Sequence, residues 1–270
     1  VIWTLHDLRS IVLGEQMSIP ASMYWKKWLP YSARYADVVV TTTESTKRDA
    51  VKYLDLNPDS IKVITIGLPK AIKTWKPDSS ILKEAKTKFG ITGPFFTSLG
   101  TIQPIKNYPF LIDVFVALRN EYKLKHQLVI IGGKGWDFPT VLSKLHQHGL
   151  EEGKDVVITG YVTEDEKWNL LANSDAFLFP SLYEGFGIPP IEAQAVGTPV
   201  LCADNSSLPW VVGDGAVLAS ATDTQTWVDG YGKLTKDRSE LIKNGKTNVK
   251  RFDWDTIALE WIELYKNTPI

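Results

Sequence analysis

Two glutamates frame the stretch of this sequence best suited to chemistry, Glu184-Gly-Phe-Gly-Ile-Pro-Pro-Ile-Glu192. Gly185, Gly187 and two prolines give a stiff, side-chain-poor turn. Proline suits a first helical turn, so a helix should begin where this turn ends. The N–H groups and partial positive charge of such a helix start make a natural seat for a diphosphate. Glu184 before the turn and Glu192 inside the helix can flank an anion held between them, and carboxylates accept hydrogen bonds from sugar and ribose hydroxyls. Taken singly, Glu184 reads as a loop charge and Glu192 as a solvated helix residue; the turn between them favours function. His6-Asp7 follows a strand-like run, a position from which a histidine can reach a ligand. No Gly-x-Ser-x-Gly nucleophile elbow accompanies it, so a hydrolase built on that elbow is set aside. Gly132-Gly-Lys-Gly135 is a poor dinucleotide fingerprint, because Trp136 falls within the required spacing and no glycine closes it.

These residues must be positioned by alternating strands and helices. Strand-like runs occur at Val1–Leu5, Val38–Thr42, Lys62–Ile66, Phe95–Leu99, Gln127–Ile131, Val156–Thr159, Ala176–Phe179 and Pro199–Cys202. Helical periodicity lies between them, as at Pro109–Leu118 and Trp168–Ala172, which is the rhythm of a parallel, doubly wound α/β sheet. Thr163-Glu-Asp-Glu166 predicts a capping box. Asp253-Trp-Asp255 matches the Asp-x-Asp pair of manganese sites, yet it precedes an amphipathic helix, and helix capping is the better reading. Gly67–Ser80 carries two prolines and little periodicity, so it reads as a linker. The expected division is 1–70 as a partial N-terminal Rossmann-like domain, 71–252 as the domain holding the main site, and 253–270 as a helix packing back toward the N-terminal domain.

With 44% hydrophobic and 23% charged residues, the composition is that of an ordinary globular protein. A net charge of -1 gives no footprint for nucleic acid. The single cysteine, Cys202, sits in an apolar run, forms no intrachain disulfide, and reads as a small buried hydrophobe in a reducing compartment. No apolar run approaches membrane-spanning length. The expected location is cytoplasmic, with peripheral contact at the inner membrane face left open. Because the chain opens directly on a strand at Val1, a preceding segment is expected.

The segment from Glu184 to Glu192 resembles the Glu-x7-Glu motif of retaining GT-B glycosyltransferases, specifically glycosyltransferase family 4. Ser98-Leu-Gly-Thr-Ile-Gln-Pro-Ile-Lys-Asn107, Ile131-Gly-Gly-Lys-Gly-Trp136, Gly160-Tyr-Val162 and Ser206-Ser-Leu-Pro-Trp-Val-Val-Gly213 resemble further loops of the same donor domain, in order. The likeness runs from about Thr4 to the final helix. It implies two Rossmann-like domains facing a cleft, no essential metal and no cofactor beyond the nucleotide-diphosphate sugar donor. It further implies that Glu192 binds ribose hydroxyls, that Glu184 with the Phe186 and Gly187 backbone holds the transferred sugar, that Gly185 and Ile188 belong to the donor-binding residues, and that Lys106 neutralises the diphosphate. Gly100, Thr101 and Gly133 would lie along the donor, and Gly160, Tyr161 and Val162 would meet the base, although Tyr161 reads equally well as core. His6 would reach the sugar and acceptor from the N-terminal domain.

The sequence departs from the family at Thr101 and Ile105, where an arginine is usual, and at Trp210, which replaces a glutamate. GDP-mannose is the first expectation for the donor, and a glycan or lipid-linked hydroxyl in surface polysaccharide synthesis for the acceptor. One alternative is a donor-binding module, inactive without a missing segment or a second chain that supplies the acceptor half. A sugar-nucleotide epimerase on the same architecture is a third.

Overall fold

The computed structural model describes residues 1–14 and 19–268. The β-branched and aromatic runs form two all-parallel sheets. The first holds β1 (Ile2–Leu5), β2 (Val38–Thr41) and β3 (Ile61–Val63) in that order. The second holds β4 (Phe95–Leu99), β5 (Gln127–Ile131), β6 (Val156–Ile158), β7 (Phe177–Phe179), β8 (Val200–Ala203) and β9 (Ala216–Ala219) in the order β6-β5-β4-β7-β8-β9. Side chains alternate between its two faces: Val129, Phe177 and Val200 enter one apolar core, while Leu128, Leu178 and Leu201 enter the other. Burial on both faces explains why these strands read as continuous apolar runs.

From β4 the chain winds outward through β5 and β6, then returns beside β4 at β7 and winds the other way through β8 and β9. The strand order therefore reverses between β4 and β7, and in open parallel sheets the crevice outside the strands' carboxyl ends at that reversal is where ligands bind.

The helix Trp254–Asn267 closes the molecule. Asp253 caps it, accepting the Asp255 N–H at 3.0 Å, and pairs with Lys73 at 2.6 Å, while Asp255 pairs with Lys70. The helix lays Ile257 against Val40 of β2 and Ile64 just past the end of β3, so the end of the chain completes the core of its beginning.

Two expectations need correction. The stretch read as a linker contains the helix Lys70–Thr74, with Leu68 and Ile72 buried in the main core and the Leu68 N–H donated to the Phe252 carbonyl at 2.9 Å. Its prolines punctuate a short helix, Pro69 opening it and Pro77 lying beyond its end. The later loop at Ser206–Gly213 contains the helix Leu208–Val212, and β9, which follows it, is a further strand that carries two alanines and a single β-branched residue, Val217, and so lacked the pattern that marked the others.

Candidate functional site

The loops after β4 and β7 meet at the reversal point. After β4 the chain makes a single 3₁₀ turn, Pro104–Lys106, and Asn107 then turns left-handed at φ 58° to start the helix Tyr108–Tyr122. The Asn107 amide donates to the carbonyls of Ala221 at 2.9 Å and Pro180 at 3.3 Å, which fixes the turn. Lys106 then spans the reversal point, its ammonium 2.6 Å from Glu184 Oε1 and 4.9 Å from the centre of the Phe179 ring. The Ser181 hydroxyl donates to the same carboxylate oxygen at 2.7 Å. The Ile105 carbonyl accepts from the Leu182 N–H at 2.8 Å and lies 3.0 Å from the Ser181 hydroxyl oxygen, bringing the two loops together.

The Glu184 loop also bridges the two sheets. On the C-terminal side the Glu184 N–H donates to Ser206 Oγ at 3.0 Å, and the Ser207 hydroxyl reaches the carbonyls of Glu184 at 2.9 Å and Phe186 at 2.5 Å. On the N-terminal side the Gly185 carbonyl accepts from the hydroxyls of Thr42, Thr43 and Thr46 at 3.3, 2.9 and 3.1 Å. The Tyr183 phenol donates to Asp49 at 2.7 Å, and burial together with that carboxylate pushes its pKa up. Only glycine fits at 185, because a Cβ there would lie 2.1 Å from the His6 carbonyl oxygen.

Gly187, at φ 108°, opens the helix Ile188–Val196, whose start has no side-chain cap. Pro189 and Pro190 carry no N–H, and among the described residues no hydrogen bond uses the N–H of Phe186, Gly187 or Ile188. These donors lie at the positive end of the helix. Glu192, further along, is buried rather than solvated, and its Oε1 lies 2.7 Å from the Lys167 ammonium. Burial raises the Glu192 carboxyl's pKa against the pull of Lys167.

Because every strand of the second sheet is parallel, Gly100, Thr101, Gly133, Gly160 and Tyr161 follow strand ends on this same edge. Gly132 and Gly160 form an isolated bridge between the loops after β5 and β6. Tyr161 is 93% exposed, which removes it from the core, whereas Val162 is partly buried and packs on the core. Trp210 carries the Arg251 guanidinium 4.5 Å above its ring, an arrangement remote from the acid–base chemistry of a glutamate. His6 is exposed at the end of β1 and lines a cavity of about 570 Å³, with Gln103, Pro104, Ile105 and Trp136 on the facing wall. Among the described residues no group of three or more His, Cys, Asp or Glu side chains could hold a metal, and no helix is long and apolar enough to cross a membrane.

Sequence reasoning missed Ser181, Lys167, Asp49 and the threonines at 42, 43 and 46, and placed Ser206 and Ser207 in a donor-domain loop without their contacts to Glu184. The run Thr41-Thr-Thr-Glu-Ser-Thr46 at a strand end was a legible cluster of hydroxyls; Lys167 gave no signal, since its partner lies a helix away.

Residues 81–251, well over half of the chain, match the glycosyl transferases group 1 family. The chain belongs to that family. Among curated relatives, O-antigen chain mannosyltransferase B of Escherichia coli is 26% identical over 98% of the chain and 70% of its own length. The serotype-specific mannosyltransferase WbdA of Escherichia coli is 26% identical over 83% of the chain, which spans 28% of it. D-inositol 3-phosphate glycosyltransferase of Saccharomonospora viridis is 26% identical over 86% of the chain and 56% of its length. Among solved structures, HepE of Anabaena in complex with UDP and glucose superposes with a TM-score of 0.80 at 20% identity, covering 99% of this chain and 71% of that one. Sucrose-phosphate synthase from Thermosynechococcus elongatus does so at 0.78 and 20%, covering 98% and 67%. The fold is GT-B, with two parallel α/β sheets facing a cleft.

Proposed function

We propose that this chain transfers a hexose, with retention, from a nucleotide-diphosphate sugar to a hydroxyl of a glycan acceptor, and that GDP-mannose is the donor. The Lys106–Glu184 pair at the strand-order reversal supports this reading most directly, because it places one cation and one carboxylate where the fold puts its ligand. In this reading the diphosphate lies at the N-terminus of the helix Ile188–Val196, on the N–H groups of Phe186, Gly187 and Ile188. Lys106 leaves Glu184 for the diphosphate, and Glu184 then accepts from the sugar hydroxyls. Glu192 takes the ribose hydroxyls, and Gly100, Thr101, Gly133, Gly160, Tyr161 and Val162 flank the nucleotide. His6 faces the sugar from the other half.

The bond between the sugar's anomeric carbon and the diphosphate oxygen breaks, and its electron pair stays on the diphosphate, where Lys106 stabilises the developing charge. The acceptor oxygen bonds to the same carbon on the same face, and its proton passes to the departing diphosphate. The mannosyltransferase names among the relatives support mannose as the sugar. No step uses a metal or a covalent carboxylate intermediate.

Replacing the charge tests the reading. Lys106→Ala, folded as judged by circular dichroism, is expected to lower kcat by about 10²–10³-fold, the loss typical of one stabiliser of developing negative charge. Parent-like turnover in that variant overturns the assignment. A melting-temperature screen across nucleotide sugars tests the donor: GDP-mannose should raise the melting temperature more than UDP-glucose does, and the reverse order removes mannose.

A further inference from the structure

The six-stranded sheet ends on two edges, and the chain treats them differently. At β6 it folds back on its own edge, where the Gly153 N–H donates to the Val156 carbonyl at 2.8 Å. At β9 the edge stays open. In a parallel ladder the residues of a strand bond to a given neighbour alternately. The Asp204 N–H donates to the Ala219 carbonyl at 2.8 Å, so Val217 and Ala219 face β8, while Ala216 and Leu218 turn outward. The Leu218 N–H and carbonyl and the Ala216 carbonyl have no hydrogen-bond partner among the described residues.

This edge lies in a groove of about 690 Å³, walled by the helices Thr224–Lys236 and Arg238–Asn248. Ala216, Val217 and Leu218 of β9 give it an apolar floor, with Leu241 on the wall. Its rim is acidic. Asp214, Asp229, Asp237 and Glu240 line it, and Lys233 is the cation among them. Among the described residues no ion pair uses any of these five side chains. In a chain of net charge -1 this is a local excess of negative charge. Charge along an open edge guards it against unwanted pairing, and the guard acts by sign. A second copy would bring the same four carboxylates against these, whereas a strand bearing Lys or Arg would meet them with opposite charge.

We infer that the β9 edge accepts an added strand, and that its occupant is an extended, lysine- or arginine-bearing segment of a partner protein. The backbone groups of Leu218 and Ala216 supply the ladder, and the rim carboxylates select basic side chains at alternate positions. β8 stands between this edge and β7, so a partner held there sits beside the sheet rather than over the loops at the strand-order reversal. The inference does not depend on the transferase reading.

Titrating the full chain with the peptide acetyl-Lys-Val-Lys-Val-Lys-Val-amide tests this, with binding read by fluorescence anisotropy and amide hydrogen exchange by NMR. The peptide should bind, more weakly as salt is raised, while its counterpart with Glu in place of Lys should not. Exchange at the Leu218 amide should slow about tenfold or more, whereas the Val217 and Ala219 amides, turned toward β8, change little. Asp229→Asn with Glu240→Gln, both exposed positions, should weaken binding about tenfold, the loss of two exposed charge pairs. The proposal is overturned by no binding of the basic peptide, by equal binding of the acidic one, or by equal binding to the double variant. Binding that leaves exchange at Leu218 unchanged is charge attraction alone and overturns the added strand. Protection of Leu218 that rises with protein concentration in the absence of peptide assigns the edge to a second copy instead.

Discussion

Glu192 and Lys167 form the most deeply placed ion pair beside the site, with side chains 5% and 13% exposed. Removing one partner of a buried pair commonly costs about 3–5 kcal/mol, whereas replacing both with apolar residues of similar volume is often neutral; Lys167 keeps the exposed Glu164 at 2.9 Å as a second partner, which places the loss on removing Glu192 at the low end of that range. Glu192→Ala is therefore expected to unfold at markedly lower urea concentration than the parent, and Glu192→Leu with Lys167→Met to recover most of the loss. Equal destabilisation by the single and double variants in urea titrations contradicts this. An activity loss in Glu192→Ala bears on the proposed ribose contact only after this effect is removed. Gly185 is the second sensitive residue. An added methyl group would meet the backbone of His6 at 2.1 Å, so Gly185→Ala must displace one half of the chain from the other. The expected cost is about 1–3 kcal/mol, typical of overpacking, read as a lowered melting temperature.

The helix Glu164–Ala172 shows how a local pattern becomes a measurable pH response. Thr163 accepts the Glu166 N–H at 3.1 Å and Glu166 accepts the Thr163 N–H at 2.8 Å, while Lys88 lies 2.7 Å from the same carboxylate. The Lys88 ammonium, then the backbone N–H, hold the Glu166 carboxyl below its ordinary value of 4.5. A depressed folded-state pKa contributes stability that is present above 4.5 and lost as pH falls through the lower folded value. The difference in melting temperature between parent and Glu166→Gln should thus be full at neutral pH and shrink below pH 4.5. A difference that persists unchanged in acid argues against it. This capping box was legible in the sequence because both its partners lie within one turn. So were eight strands and the turn at Gly185–Gly187, each fixed by residue types that are neighbours along the chain. What could not be read depends on distant partners: the Lys167–Glu192 pair between two helices, the Thr42, Thr43 and Thr46 hydroxyls on the Gly185 carbonyl, and the burial of Ile72 that makes the supposed linker part of the core.

At the scale of the molecule, the last helix belongs to the first sheet. Ile257 is 1% exposed against Val40 and Ile64, so Ile257→Ala should cost about 2–5 kcal/mol, with the loss concentrated in the N-terminal half. Hydrogen exchange should show β1–β3 amides losing protection while β4 and β7 keep theirs; uniform loss across both sheets would count against this division. The Glu184 loop has a related consequence for recombination. Its conformation is set by serines from its own half and by three threonine hydroxyls, Asp49 and the His6 backbone from the other. A chimera joining this C-terminal half to a relative's N-terminal half inherits the residues of the Glu184 loop but not their placement. For this chain, a foreign N-terminal half preserves the loop only if it brings hydroxyls to the Gly185 carbonyl.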